Sequence, residues 1–180
     1  KLPRAEAFVS HLKREALIAA RFQDPDVPGI LEVRLDHDPP FLVMPFVPGA
    51  NLPLPAEAPP PSGIVEALRT FRRVAAVVAR LHDAEIAHGD LKPGNIRVDA
   101  EGRCHLLDLG LARQQVAARQ LSTLRASVVS VTGERIAGTL EFMAPEVTAG
   151  EEPGRAADIF ALGVILHHLL CGRPPAFGVS

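Results

Sequence analysis

Tryptophan and tyrosine are both absent from these 180 residues, and aromatic content rests on eight phenylalanines. Cysteine occurs only at Cys104 and Cys171, which excludes a disulfide framework and makes a reduced cytoplasm the natural compartment. No run of basic residues is present, and 19 basic against 21 acidic residues leave a net charge of −2, so nucleic acid is not the expected partner. No apolar run reaches membrane-spanning length; the longest, from Ile159, breaks at His167-His168. The opening Lys1-Leu2-Pro3-Arg4 lacks the apolar core of a signal peptide. Internal repeats and long low-complexity tracts are missing too. What is present is 47% apolar residues, enough for a real core, in a length that fits one domain or a two-lobed one.

The chemistry concentrates in His88-Gly89-Asp90-Leu91-Lys92-Pro93-Gly94-Asn95. A carboxylate, an ammonium and a side-chain amide stand within six residues, and Asp108-Leu109-Gly110 and Ala144-Pro145-Glu146 follow. This set suits phosphoryl transfer from ATP, where a protein orients a hydroxyl, holds a metal and neutralises moving charge. Asp90 can accept or orient the hydroxyl proton. Lys92, two residues on, can lie on the same side of an extended loop and offer a cation to phosphate. Asn95 is a neutral oxygen donor and Asp108 a charged one, both hard ligands of the kind Mg²⁺ prefers. Between them Ile96 and Val98 alternate with Arg97, Asp99-Ala100-Glu101-Gly102 is a turn signal, and Cys104 to Leu107 is a second apolar strand. A β-hairpin there returns Asp108 to the side of Asn95.

Elsewhere, residues 4 to 22 carry helical periodicity through Phe8, Leu12, Glu15, Ala16, Ala19 and Ala20. Leu31 to Leu35 and Phe41 to Val47 read as strands. Residues 48 to 61 are a Pro-rich connector, with Ser62 as a cap for the next helix. Ile64, Leu68, Phe71, Ala75 and Val78 form that helix's expected core stripe, closed by Leu81 and His82. His82 is expected to pack or hydrogen-bond rather than ligate. Ala157 to Cys171 is apolar nearly all round, as in a helix buried on every side. His167 and His168 point about 100° apart on it and are expected to be structural.

These motifs, in this order, resemble those of eukaryotic-type serine/threonine protein kinases of the bacterial kind. The family's H-R-D-L-K-x-x-N appears as His88 to Asn95, its D-F-G as Asp108-Leu109-Gly110, and its activation-segment end as Gly138-Thr139-Leu140-Glu141-Phe142-Met143-Ala144-Pro145-Glu146. Its buried Asp of the next long helix matches Asp158. Abundant Ala, Arg, Pro and Val fit a GC-rich bacterial gene. The resemblance implies an α+β, two-lobed fold: a partial, β-rich N-lobe over 1–47, a hinge and Pro-rich connector over 48–62, and a mainly helical partial C-lobe over 63–180. It implies ATP and Mg²⁺ as cofactors and a protein with a Ser or Thr acceptor as substrate. Asp90 becomes the base, Lys92 the phosphate clamp, and Asn95 and Asp108 the metal ligands. Thr139 sits beside the base and helps select Ser/Thr acceptors. Glu15 becomes the helix glutamate that pairs with the ATP-binding lysine, a place Lys1 can fill. Met44 becomes the gatekeeper beside adenine, and Val47 the hinge N–H donor after Pro45 and Phe46.

Three departures qualify this picture. No Gly-rich phosphate loop is present, as expected if the chain begins in the family's third strand. The family has further helices after the one ending at Cys171, and one of them supplies an Arg for the glutamate matched by Glu146. The 180 residues alone are accordingly expected to express poorly or self-associate. Gly89 replaces the Arg that pairs with an activation-segment phosphate, so activity independent of such a phosphate is expected. Ser122, Thr123, Ser127, Ser130 and Thr132 remain as modification sites, and without tyrosine self-phosphorylation falls on Ser or Thr. Two other readings compete: a small-molecule phosphotransferase, which also uses H-G-D followed by Asn, and a non-catalytic pseudokinase or binding module.

Overall fold

A computed structural model describes residues 3–109, 113–114 and 140–176. The first element is helix α1 (Pro3–Arg21), followed by a tight turn and an antiparallel hairpin of β1 (Glu32–Arg34) and β2 (Phe41–Val43) in register Val33↔Leu42. Among the α1 residues whose side chains are described, Leu12, Glu15, Ile18 and Ala19 are buried, at steps of three and four that put them on one face. The second strand is shorter than its apolar run implied: pairing stops at Val43, and Met44 to Pro48 continue without regular structure. Pro45 and Pro48 cannot donate to a ladder.

The connector contains a strand that its proline content hides. Here β3 (Ala50–Asn51) pairs antiparallel with β5 (Ile96–Val98), which pairs with β6 (Cys104–Leu106). Gly49 has φ 103°, and a side chain there would collide with the backbone of Val98 and Asp99. The β5–β6 turn is built as its composition predicts. The carboxylate of Asp99 accepts the N–H of Glu101 at 3.1 Å and of Arg103 at 2.8 Å, and Gly102 takes the left-handed conformation at φ 73°.

Helix α2 (Pro61–Asp83) begins differently from expectation. Its cap position is Pro60 and Pro61 is its first residue, so Ser62 lies inside the first turn. Proline suits that place because its missing N–H would have no helical partner. The expected core stripe holds in its later part, where Val78 is buried and Phe71 and Ala75 pack half-buried against the core, and fails at its start. Val74, Val77, Val78 and Leu81 are buried, at i, i+3, i+4 and i+7, whereas Ile64 and Leu68 are exposed.

After β4 (Ile86–Ala87), which pairs with β7 (Arg113–Gln114), and a 3₁₀ turn at Pro93–Asn95, the described chain resumes with the short helix α3 (Pro145–Thr148) and then α4 (Arg155–Cys171). Helix α4 packs against α2, and α2 also covers β6. It is not buried on every side. Ala157, Ala161, Leu162, Val164, Ile165 and Leu169 face the core, while Ala156, Ile159 and Gly163 lie along an exposed strip. It ends at Gly172, φ 67°, whose N–H bonds the carbonyl of His168 at 2.8 Å. The connector crosses this end so closely that a Cβ on Gly172 would overlap the Glu57 backbone. His167, as expected of a structural residue, bonds through Nδ1 to the carbonyl of Arg173 at 3.0 Å.

One contiguous apolar cluster links these parts. It runs from Ile18 and Val27 through Leu81, Ile96 and Leu106 to Ile165. Fully burying one such side chain is worth about 1.5–3 kcal/mol. The architecture is thus mixed α+β: α1 with a small hairpin, then a mainly helical body whose small sheets carry the loops.

Candidate active site

The loop from His88 to Asn95 is held from below by one carboxylate. Asp158, 1% exposed on α4, accepts the N–H of His88 at 2.8 Å through Oδ2 and the N–H of Gly89 at 2.9 Å through Oδ1. The same Oδ2 takes the Nε2 of His82, on α2, at 2.8 Å. Buried carboxylates are tolerated when they are hydrogen-bonded, and here three donors engage both oxygens. His82 is therefore a hydrogen-bonding residue, as expected.

Gly89 has φ 81°, a conformation that glycine adopts without the strain of a side chain. Beneath it lies a cavity of about 20 Å³ against Phe142, Ala144 and Asp158, room for one water. His88 is fully buried. Its Nδ1 accepts the N–H of Asp90 at 3.3 Å, so the ring proton sits on Nε2, which donates to the carbonyl of Leu107 at 3.1 Å. The imidazole thereby ties the start of the loop to the strand end that precedes Asp108.

Three of the predicted site residues meet at the Asp90 carboxylate. Lys92 Nζ lies 2.6 Å from Asp90 Oδ2, and Asn95 Nδ2 donates to the same oxygen at 3.1 Å and to the Asp90 carbonyl at 2.8 Å. Asn95 is buried in the 3₁₀ turn, so its amide is fixed with nitrogen toward Asp90. The hairpin delivers the fourth. Leu107 N–H bonds the Asn95 carbonyl at 2.8 Å, placing the next residue, Asp108, beside the loop. Asp108 adopts φ 61°, a left-handed conformation uncommon outside glycine that costs of order 1–3 kcal/mol and clusters at functional sites. Leu109 behind it is 3% exposed and anchors the turn in the core.

Glu15 reaches this region from α1. Burial, and then the charge of Asp108, raise its carboxyl to about 7. Met44 and Val47 follow β2, Met44 exposed and Val47 half-buried. Glu146 stands in the first turn of α3. Lys1 and Thr139 lie outside the described residues, as do Gly110, Gly138 and the candidate modification sites from Ser122 to Thr132.

Sequence reasoning missed one set of contacts. Arg80 on α2 grips Asp24 and Asp26, in the turn after α1, with three hydrogen bonds of 2.6, 3.0 and 2.6 Å. The only signal was the pair of acids in Asp24-Pro25-Asp26, and nothing local connects them to Arg80, which lies 54 and 56 residues further on.

With this geometry in view, comparison with known proteins gives a consistent result. The family profile described as "Protein kinase domain" matches residues 3–179. The chain belongs to the protein kinase family. It is 30% identical over 173 residues to serine/threonine-protein kinase PrkC of Bacillus subtilis (strain 168), covering 96% of this chain and 25% of that protein. It is 35% identical over 176 residues to CBL-interacting protein kinase 16 of Oryza sativa subsp. japonica, covering 97% and 36%. It is 28% identical over 183 residues to serine/threonine-protein kinase PknB of Mycobacterium leprae (strain TN), covering 99% and 28%. The chain thus spans about a quarter to a third of the length of these curated relatives.

Proposed function

We propose that this chain carries the catalytic chemistry of a serine/threonine protein kinase, moving the γ-phosphoryl group of Mg-ATP to a protein hydroxyl. The carrying observation is the meeting of Lys92 and Asn95 on the Asp90 carboxylate, with Asp108 brought alongside by the Leu107–Asn95 bond. The names of the relatives support a protein acceptor.

The residues present fit the cofactor. Asn95 commits its amide nitrogen to Asp90, which leaves its carbonyl oxygen as the end able to ligate a cation. With Asp108 it forms a hard-oxygen pair, and Mg²⁺ is commonly held by one or two protein oxygens plus phosphates and waters. Among the described residues no group of three or more His, Cys, Asp or Glu forms a self-sufficient metal site, which agrees with an ion shared with a nucleotide. Mg-ATP, when bound, supplies the transferred group and the charge that neutralises its oxygens.

The chain's own residues then divide the work. Asp90 orients the acceptor hydroxyl and takes its proton. Lys92, paired with Asp90 at 2.6 Å, supplies a cation to the phosphate. Asn95 and Asp108 hold the metal. Glu15 orders a lysine, with Lys1 as the candidate, and Thr139 favours Ser/Thr acceptors. Met44 and Val47 contact the adenine. Two free cysteines, Cys104 buried and Cys171 exposed, suit a reducing cytoplasm. Among the described residues no helix is long and apolar enough to cross a membrane.

The test is transfer from labelled Mg-ATP to casein by wild type and by Asp90→Asn. Loss of the positioned base is expected to lower kcat by about 10²- to 10⁴-fold. An Asp90→Asn protein with wild-type turnover overturns the assignment of Asp90, and transfer to aminoglycoside or choline but not to casein overturns the protein substrate.

A further inference from the structure

Helix α1 carries Glu15, but the turn after α1 is where the rest of the molecule takes hold of it. That turn closes as a one-residue bridge between Asp24 and Val27, with the N–H of Asp26 on the Asp24 carboxylate at 2.9 Å. Val27 is buried in the common core. Two outside groups seize the turn. Arg80 of α2 binds Asp24 through Nε at 2.6 Å and Nη2 at 3.0 Å, and Asp26 through Nη2 at 2.6 Å. The carbonyl of Asp26 accepts the N–H of Leu106, the last residue of β6, at 2.9 Å.

Both ends of the site hang from this turn. Glu15 stands less than two helical turns before the end of α1, roughly 9 Å along its axis. Asp108 stands two residues after Leu106. The packing of α1 beside the turn is not continuous. A cavity of about 400 Å³ opens between Ala16, Ala19 and Ala20 of α1 and Ile30 and Val33 of the β1 side. With packing incomplete there, a planar guanidinium that bridges two carboxylates supplies a directional restraint, and a point charge cannot reproduce that two-pronged grip. Asp24 is 6% exposed at its side chain and Asp26 26%, so the Asp24 half of the grip is the sheltered one.

We propose that Arg80 is a positioning residue for phosphoryl transfer: through Asp24 and Asp26 it pins α1 against β6, setting where Glu15 stands relative to Asp108. The inference rests on the kinase reading. Its test is a double-mutant cycle of Arg80→Met with Glu15→Gln, read as kcat/KM for Mg-ATP with casein as acceptor, with Arg80→Lys as the conservative variant. Hydrogen exchange of the Leu106 amide and of the α1 amides is measured alongside.

Arg80→Met is expected to lower kcat/KM on the order of ten- to a hundredfold, Arg80→Lys to recover only part of it, and the double variant to lose little more than Glu15→Gln alone. Exchange at Leu106 and in α1 quickens. Losses that multiply in the double variant, or full activity in Arg80→Met, overturn the proposal. Where Arg80→Met does not fold, Asp26→Asn, which removes one of the two gripped charges, takes its place in the same cycle. A wild-type protein without transfer activity sinks the kinase reading instead. Exchange then still decides whether Arg80 pins the turn: unchanged protection at Leu106 and α1 in the variant overturns the pin.

Discussion

At the scale of single residues, Asp158 is the side chain that anchors the candidate site's loop. Its two oxygens receive the buried N–H of His88, the half-buried N–H of Gly89 and the His82 ring. Asp158→Ala leaves those donors without an acceptor, and each unsatisfied buried group costs about 1–3 kcal/mol. The expected loss is about 3–5 kcal/mol in a urea melt. His82→Ala removes one donor and keeps both backbone bonds, so its loss is expected to be smaller, about 1.5–3 kcal/mol. Equal losses in the two variants refute the reading of Asp158 as the loop's anchor. Gly89 shows the converse case: its left-handed backbone asks for glycine on conformational grounds.

At the scale of elements, the end of α4 shows how a connector without regular structure can be part of the fold. Gly172 combines a left-handed φ of 67° with direct backbone contact from Glu57. Gly172→Ala must accept an unfavourable conformation and also push the connector away. A loss of roughly 1–3 kcal/mol is expected, with faster proteolysis within residues 52–60 as the local sign. Gly154→Ala is the contrasting variant, because a Cβ there meets nothing within 4 Å. A Gly172→Ala protein as stable as Gly154→Ala contradicts the close packing.

At the scale of the whole molecule, the Arg80 grip joins segments 54 and 56 residues apart and makes stability depend on acid. Arg80 hydrogen-bonding holds the Asp24 carboxyl below its ordinary value. A carboxylate with a depressed folded-state pKa contributes stability that is fully present above its unfolded-state pKa and is lost as pH falls through the folded one. The difference in unfolding free energy between wild type and Arg80→Met is therefore expected to be constant above about pH 5 and to shrink below about pH 4. Urea melts from pH 3 to pH 7 measure it; a difference that does not change with pH removes the electrostatic account.

Much of the candidate site was legible in the chain because its parts are local. Asp90, Lys92 and Asn95 meet within one loop, and the Asp99 to Gly102 turn returns the hairpin so that Leu107 bonds Asn95. Spacing, turn chemistry and alternation are rules about neighbours, and for neighbours they suffice. They also placed the long helices, whose periodicity is intrinsic.

What only tertiary structure decided concerns partners distant in sequence. The face of α2 that enters the core, the exposed strip on α4, the strand at Ala50–Asn51 and the grip of Arg80 on Asp24 and Asp26 each depend on what lies opposite. The same holds for Glu15, whose carboxyl is raised to about 7 by burial and by Asp108, a residue near it only in the folded chain. Local sequence determines what a segment can form and which groups it carries. Burial, long-range pairing and field are properties of the assembled surroundings, so they appear only when the chain has packed.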